Sequence, residues 1–306
     1  MRLQDPLSSL LQRAPLALII LGLLAGPAAA AQLRLPPIVV PASHEHHVGK
    51  VIFVELVTPD LAAAKRFYGG LFGWTFRDID AGGTAYAEAM RAGRPVAGLF
   101  QRNLPAGAHR QSAWLTYFSV SDVDQATETA LRNGAKLLFR PASFPDRGRE
   151  AVLADPQGAP FAVLASESGD PPDLMVDPGH WIWSSLITRD PGTDVAFYQK
   201  LFGYSVSALP PGAHGPRFIL ASGGYARASV NPLPASRPDL APHWLDYVRV
   251  QDAAATAKRV AALGARILVA PRAEHDGGTI ALFADPLGAV FGVIEWPSGA
   301  SKEAPQ

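Results

Sequence analysis

The sequence predicts an α+β protein of two tandem domains, and three observations carry that prediction. A constant offset of 130 residues relates Tyr68 to Tyr198, Trp114 to Trp244, Gly134 to Gly264 and Asp155 to Asp285. The string FYGGLFGW (Phe67 to Trp74) returns as FYQKLFGY (Phe197 to Tyr204), and DPQGAPF (Asp155 to Phe161) returns as DPLGAVF (Asp285 to Phe291). Inside each copy, a strand–helix–three-strand cycle is written twice. Self-similarity at one fixed spacing means copies of one unit, so the chain reads as four βαβββ modules, two per domain.

The first module opens with VIFVELV (Val51 to Val57), an apolar branched run that reads as a buried strand. Asp60 is placed to cap a helix, because its carboxylate can accept the unpaired N–H groups of the first turn. Leu61, Ala64, Tyr68 and Leu71 then form one apolar helix face, and Gly73 stops it in a left-handed conformation. Short strands follow near 74–79, 84–90 and 95–101. The cycle restarts with WLTYFSV (Trp114 to Val120), a cap at Asp122, a helix over Val123 to Asn133 and a stop at Gly134. Two short strands and FAVL (Phe161 to Leu164) complete the copy. In the second copy Pro191 after Asp190 strengthens the helix start. The aromatic helix end is expected to serve packing, and the DPxGAxF strings to be turns.

These landmarks divide the chain into 1–31, 32–49 (a leader), a first domain at 50–165, a linker at 166–179, a second domain at 180–296 and a tail at 297–306. The linker SESGDPPDLMVDPG (Ser166 to Gly179) is rich in Pro, Gly and Asp. At the start, Arg2 and Arg13 precede LALIILGLLAG (Leu16 to Gly26), and PAAAAQ (Pro27 to Gln32) follows. A positive beginning, a short apolar run and small residues are the parts of a secretory signal peptide. Cleavage after Ala30 or Ala31 and a periplasmic or secreted protein with no stable membrane anchor are therefore expected.

Composition narrows the function. Lys+Arg and Asp+Glu are equal at 27 each, so neither a basic stripe nor an acidic tail argues for nucleic acid. The absence of cysteine excludes disulfides, thiolate metal sites and cysteine nucleophiles. No nucleophile elbow, Walker loop, GxGxxG or HExxH string occurs. HEHH (His44 to His47) could hold a metal at the surface, but such runs are more often solvated leaders.

Four βαβββ modules with FYxxLFGW helix ends and DPxGAxF turns resemble the vicinal oxygen chelate superfamily, which includes glyoxalase I, extradiol dioxygenases and bleomycin-resistance proteins. The resemblance covers about 50–296, with FVELVTPD and WSSLITRD as the first strands of the two halves. It implies that two modules curve into an open half-barrel sheet around one cavity, with the helices outside. Metal-using members place His, Glu or Gln at up to four stations on the first and last strands of each module, because imidazole and carboxylate groups replace the ion's water. Aligned on the landmarks, those stations hold Phe53, Gly98, Leu115 and Ala162, then Trp183, Ala228, Leu245 and Gly292. None coordinates a metal, so no cofactor is expected, with a divalent ion kept as the rival.

Strand alternation sends Glu55 and Val57 to the face of Phe53, Tyr117 to that of Leu115, Ser185 to that of Trp183, and Tyr247 to that of Leu245. Phe53, Glu55, Leu115, Tyr117, Trp183, Ser185, Leu245 and Tyr247 are thus the expected ligand-binding residues, with Arg249 and His243 near the second mouth. This is the make-up of a small-molecule pocket. Glu55 is the expected catalytic residue if there is one, since burying an acid favours its protonated form and suits proton transfer; the bland alternative is a structural acid. Three readings follow: a metal-free binding protein or Glu55-dependent enzyme, a metal-dependent lyase or dioxygenase, and a structural module with filled clefts. A homodimer is open in each.

Overall fold

The structure is a computed structural model and describes residues 33–81, 84–102, 111–212, 214–237, 239–273 and 278–296. The expected signal peptide and the tail lie outside the described residues.

Each half forms one open eight-stranded mixed sheet. The first module comprises β1 (Val51–Thr58), α1 (Leu61–Phe72), β2 (Thr75–Ala81), β3 (Thr84–Arg91) and β4 (Arg94–Gln101). The second comprises β5 (Ala113–Ser119), α2 (Val123–Arg132), β6 (Lys136–Phe144), β7 (Gly148–Ala154) and β8 (Pro160–Ser166). The third holds β9 (Trp181–Thr188), α3 (Pro191–Phe202), β10 (Ser205–Gly212), β11 (Gly215–Ser222) and β12 (Tyr225–Pro232). The fourth holds β13 (His243–Val250), α4 (Ala253–Ala262), β14 (Arg266–Ala273), β15 (Thr279–Ala284) and β16 (Val290–Glu295). Strand order is β2-β3-β4-β1-β5-β8-β7-β6 in one sheet and β10-β11-β12-β9-β13-β16-β15-β14 in the other. The apolar runs that open modules one and two lie side by side at the centre, with β1 antiparallel to β5 and parallel to β4.

The same local chemistry sets all four helices. Asp60, Asp122, Asp190 and Asp252 each cap a helix by accepting a first-turn N–H. Gly73 ends α1 at φ 68, as the sequence predicts.

The repeated strings acquire a meaning that local patterning does not carry. Tyr68 Oη donates to Asp285 Oδ2 at 3.1 Å, and Tyr198 Oη donates to Asp155 Oδ2 at 3.1 Å. Each aromatic helix end in one half therefore binds the DPxG turn of the other half. Trp114 Nε1 and Trp244 Nε1 complete the pair of chains by donating to the two tyrosines at 3.0 and 2.9 Å. Around Tyr68, Phe67 and Phe72 meet Phe291 edge to face; around Tyr198, Phe202 stacks against Phe118. At the pseudo-twofold axis, Thr116 Oγ1 donates to Asp246 Oδ2 at 2.8 Å, and these two residues are themselves 130 apart. The sheets thus sit back to back within one chain, their concave faces turned outward as two cups.

Candidate functional site

The central strands aim side chains into each cup through a bulge. Val51 pairs with Phe118 and Phe53 with Tyr117, so Ile52 is the extra residue, and both Ile52 and Phe53 turn inward. In β9 the same irregularity turns both Ile182 and Trp183 into cup two.

Cup one is closed by the protein's own leader. Leu33, Leu35 and Ile38 are 4%, 5% and 3% exposed, and they pack among Tyr86, Phe100, Phe144, Phe53, Leu115 and Val152. Further along, Val39 N donates to Ser168 Oγ, and Asp170 N donates to Glu45 O at 2.7 Å, which ties the leader to the linker. Asp173 clamps the other side by accepting from Lys50 and Arg227; burial works against its charge, but those two cations bring its carboxyl down to about 2. The space left in cup one is about 10 Å³, too small for an organic ligand.

Beneath the leader lies a buried charged cluster. Tyr117 Oη donates to Glu55 Oε2 at 3.0 Å. Arg147 is 1% exposed; its Nε donates to Pro36 O at 2.8 Å, its Nη2 to Tyr86 Oη at 2.9 Å, and its guanidinium lies 4.5 Å from the Phe53 ring centroid. Glu150 completes the lining, and burial pushes its carboxyl up to about 8 despite Arg147. Burial alone would depress the guanidinium, yet Tyr86, Glu55 and Glu150 hold it above the ordinary arginine range.

Leader docking leads to a measurable expectation. Burying Leu35 contributes about 1.5–3 kcal/mol, so Leu35→Asp should raise the released population roughly ten- to a hundredfold. Trypsin cleavage after the exposed Arg34 reads this directly. Equal cleavage rates in the two proteins would mean that the leader is not held by this side chain.

Among the described residues cup two has no such cover. Trp183, Ile182, Ile187, Ile280 and Leu282 are half-buried, whereas their cup-one counterparts Phe53, Ile52, Val57, Glu150 and Val152 are all buried. A polar ladder crosses its wall: Trp183 Nε1 donates to Ser229 Oγ at 3.2 Å, and Ser229 Oγ lies 2.7 Å from Ser185 Oγ. Asn231 Nδ2 donates to Ser229 Oγ at 3.0 Å, and Arg217 Nε donates to Asn231 Oδ1 at 3.1 Å. Leu245 and Tyr247 lie on the adjoining strand, opposite Ser185 and Trp183.

The structure corrects one station and adds others. Gly98 pairs with Glu55, but Ser229, not Ala228, pairs with Ser185. The spacing is 98 − 55 = 43 in the first half and 229 − 185 = 44 in the second, so the constant offset fails here by one residue. Ala228 is fully buried on the opposite face, in the core around α3. Tyr86, Glu150, Ser229 and Asn231 were legible as alternating strand positions and were missed for want of a landmark. Arg147 enters from a turn, and no periodicity could find it. Arg249 is engaged outside the expected mouth, donating to the linker carbonyl of Val176 at 2.6 Å, and the His243 ring meets Ala241 O.

A divalent ion does not fit these stations. Gly98 and Gly292 need to be glycine because a Cβ would overlap the Tyr86 hydroxyl and Glu55 in cup one and the Tyr247 ring in cup two. The stations of cup one hold no carboxylate; Glu55 and Glu150 lie beside them, and the positive charge that faces both is Arg147. Among the described residues no three His, Asp or Glu groups converge on a common point.

Two family models match the chain: the Glyoxalase/Bleomycin resistance protein/Dioxygenase superfamily over residues 46–163 and a glyoxalase-like domain over residues 183–294. A relative from Mycobacterium tuberculosis (strain CDC 1551 / Oshkosh), the candidate glyoxylase CFP32, is 31% identical over 259 residues, covering 83% of this chain and 98% of that protein. The anthracycline biosynthesis protein DnrV of Streptomyces peucetius is 30% identical over 264 residues, covering 82% and 94%. The Mn(II)-bound glyoxalase from Novosphingobium aromaticivorans has a TM-score of 0.56 at 19% identity, covering 82% of this chain and 84% of that chain. A variant of homoprotocatechuate 2,3-dioxygenase from B. fuscum has a TM-score of 0.59 at 15% identity, covering 87% and 77%. At such identities the structural likeness speaks for the fold.

Proposed function

The chain belongs to the Glyoxalase/Bleomycin resistance protein/Dioxygenase superfamily, and from that premise we propose that it is an exported protein that binds a small aromatic or amphipathic molecule in cup two, without the divalent ion that some relatives hold. The observation that carries this reading is the difference in cover. The leader fills cup one to the size of a single water molecule, while the duplicated cup keeps half-buried Trp183, Ile182 and Ile187 with hydroxyl and amide anchors beside them. Apolar walls with a few convergent polar groups are the ordinary form of a ligand site. The relative named for anthracycline biosynthesis supports a flat aromatic ligand.

Sequestration follows most simply from this arrangement. Acid–base chemistry at Glu55 would require the leader to lift, because that carboxylate is buried under Leu33 and Leu35. Export to the periplasm or medium rests on the Arg-flanked apolar run and small residues of 1–31.

The test uses the mature chain beginning at Gln32. Screening aromatic compounds by thermal shift should find ligands that stabilise it, by about 2.7 kcal/mol at a hundredfold excess over Kd. Trp183→Ala should abolish the shift and Phe53→Ala should leave it. The reverse pattern would move the site to cup one, and one tightly held divalent ion per purified chain would overturn the metal-free reading.

A further inference from the structure

We infer that cup two takes a flat aromatic molecule bearing a carboxylate, with its ring against Trp183 and Tyr247 and its anion at Arg217 and Asn231. This rests on the small-molecule reading above and adds the sign of the ligand's charge.

The argument begins with what duplication changed. Cup one faces its interior with Glu55 and Glu150; at the positions 130 residues later, cup two has Ser185 and Ile280. Both acids are gone. The cup-facing residues of β9, β11, β12 and β13 include Ile182, Trp183, Ser185 and Ile187, then Arg217 and Ile219, Ser229 and Asn231, Leu245 and Tyr247. Apart from Arg227 and Arg249, which the linker engages, the formal charge that these four strands present to the cup is Arg217, and it is positive.

The other cations near the cups and the linker are engaged. Arg147 serves the cluster under the leader, Arg227 pairs with Asp173, and Arg249 donates to Val176 O. Among the described residues no acid forms an ion pair with Arg217. What Arg217 has is an orienting partner: Asn231 Oδ1 accepts from Nε, while the Asn231 amide nitrogen is fixed on Ser229 Oγ. Holding Nε in this way leaves the terminal nitrogens for a ligand. A guanidinium whose plane is set by an amide matches the two coplanar oxygens of a carboxylate.

The same wall supplies the aromatic surface. Tyr247 lies over Gly292, where any side chain would collide with its ring, so the floor beside the half-buried Trp183 is aromatic. A planar ring can lie on these aromatic faces with its anionic end toward Arg217, which is half-buried and so less screened than a surface cation.

Binding of naphthoate, its neutral isostere naphthalenemethanol and naphthylmethylammonium to the mature chain tests this, read by tryptophan fluorescence and thermal shift. Naphthoate should bind about tenfold tighter than the alcohol, and the ammonium compound should bind weakest. Arg217→Gln should erase the preference for the acid while keeping the alcohol's affinity, and Arg217→Lys should retain part of it. If acid and alcohol bind equally to the wild type, or if the preference survives Arg217→Gln, the charge assignment falls while the small-molecule reading stands. If none of the three binds at millimolar concentration, both fall together.

Discussion

Replacing Arg147 by methionine is expected to lower stability by about 3–5 kcal/mol, the usual cost of removing one member of a buried charged group and leaving its partners behind. The side chain is 1% exposed and touches three elements at once: the leader through Pro36 O, β3 through Tyr86 Oη, and β1 through the Phe53 ring. It is also the positive charge that faces Glu55 and Glu150 across the cluster. Methionine fills similar volume but supplies neither donor nor charge, so two acids would be left together in an apolar cup. Denaturant unfolding should therefore show a lower midpoint, and the leader should become cleavable after Arg34. Arg147→Lys should recover part of the loss, since it keeps charge without the forked donors. A change under about 1 kcal/mol for the methionine variant would mean that the cluster is not held by this charge.

A second large effect concerns pH, and its direction is unusual. Burial raises Glu150 to about 8, Asp155 to about 7, and Asp246 and Asp285 to about 6. Beside Asp155, the charge of Asp194 adds to the burial effect. Groups whose folded pKa is raised bind more protons folded than unfolded, so their stabilisation is present at low pH and is lost as pH rises through the folded value. Burial depresses His180 and His243, which gives the opposite slope below about pH 6.5. The net expectation is a gain of about 1–3 kcal/mol on acidifying from about pH 8 to about pH 6.5, then a flatter region, then loss as Asp173 protonates toward its value of about 2. Thermal melts across this range check it, and Glu150→Gln should remove much of the upper slope. A midpoint that falls on acidifying from about pH 8 to about pH 6.5 would refute it.

The carboxylates behind this behaviour show how far sequence reading reached. Asp155 and Asp285 were visible as repeated turn residues, and their turns form as expected: Asp155 accepts from Gln157 N and Ala159 N, and Asp285 from Leu287 N and Ala289 N. The same side chains also receive the tyrosine of the opposite half, and nothing local announced that contact. Glu55 was identified as cup-facing, and the pairing of β1 with β4 and β5 puts it there. Its neighbours Glu150 and Arg147 come from β7 and a turn, and only the closing of the sheet brings them to it. Ser229 was missed by one residue because an insertion before β12 breaks the offset that the helices keep.

The sequence alone determined the four modules, the Asp caps, the twofold repeat and the faces of the central strands, because each of these is written in short-range periodicity and backbone preference. The tertiary structure decided that the two halves lock through exchanged Tyr–Asp contacts, that the leader is a plug, and that among the described residues it covers only one of the two duplicated cups. Those outcomes depend on which apolar surfaces meet across intervals of up to 217 residues. Burial there is settled by the shape of the whole chain, and no local window contains it.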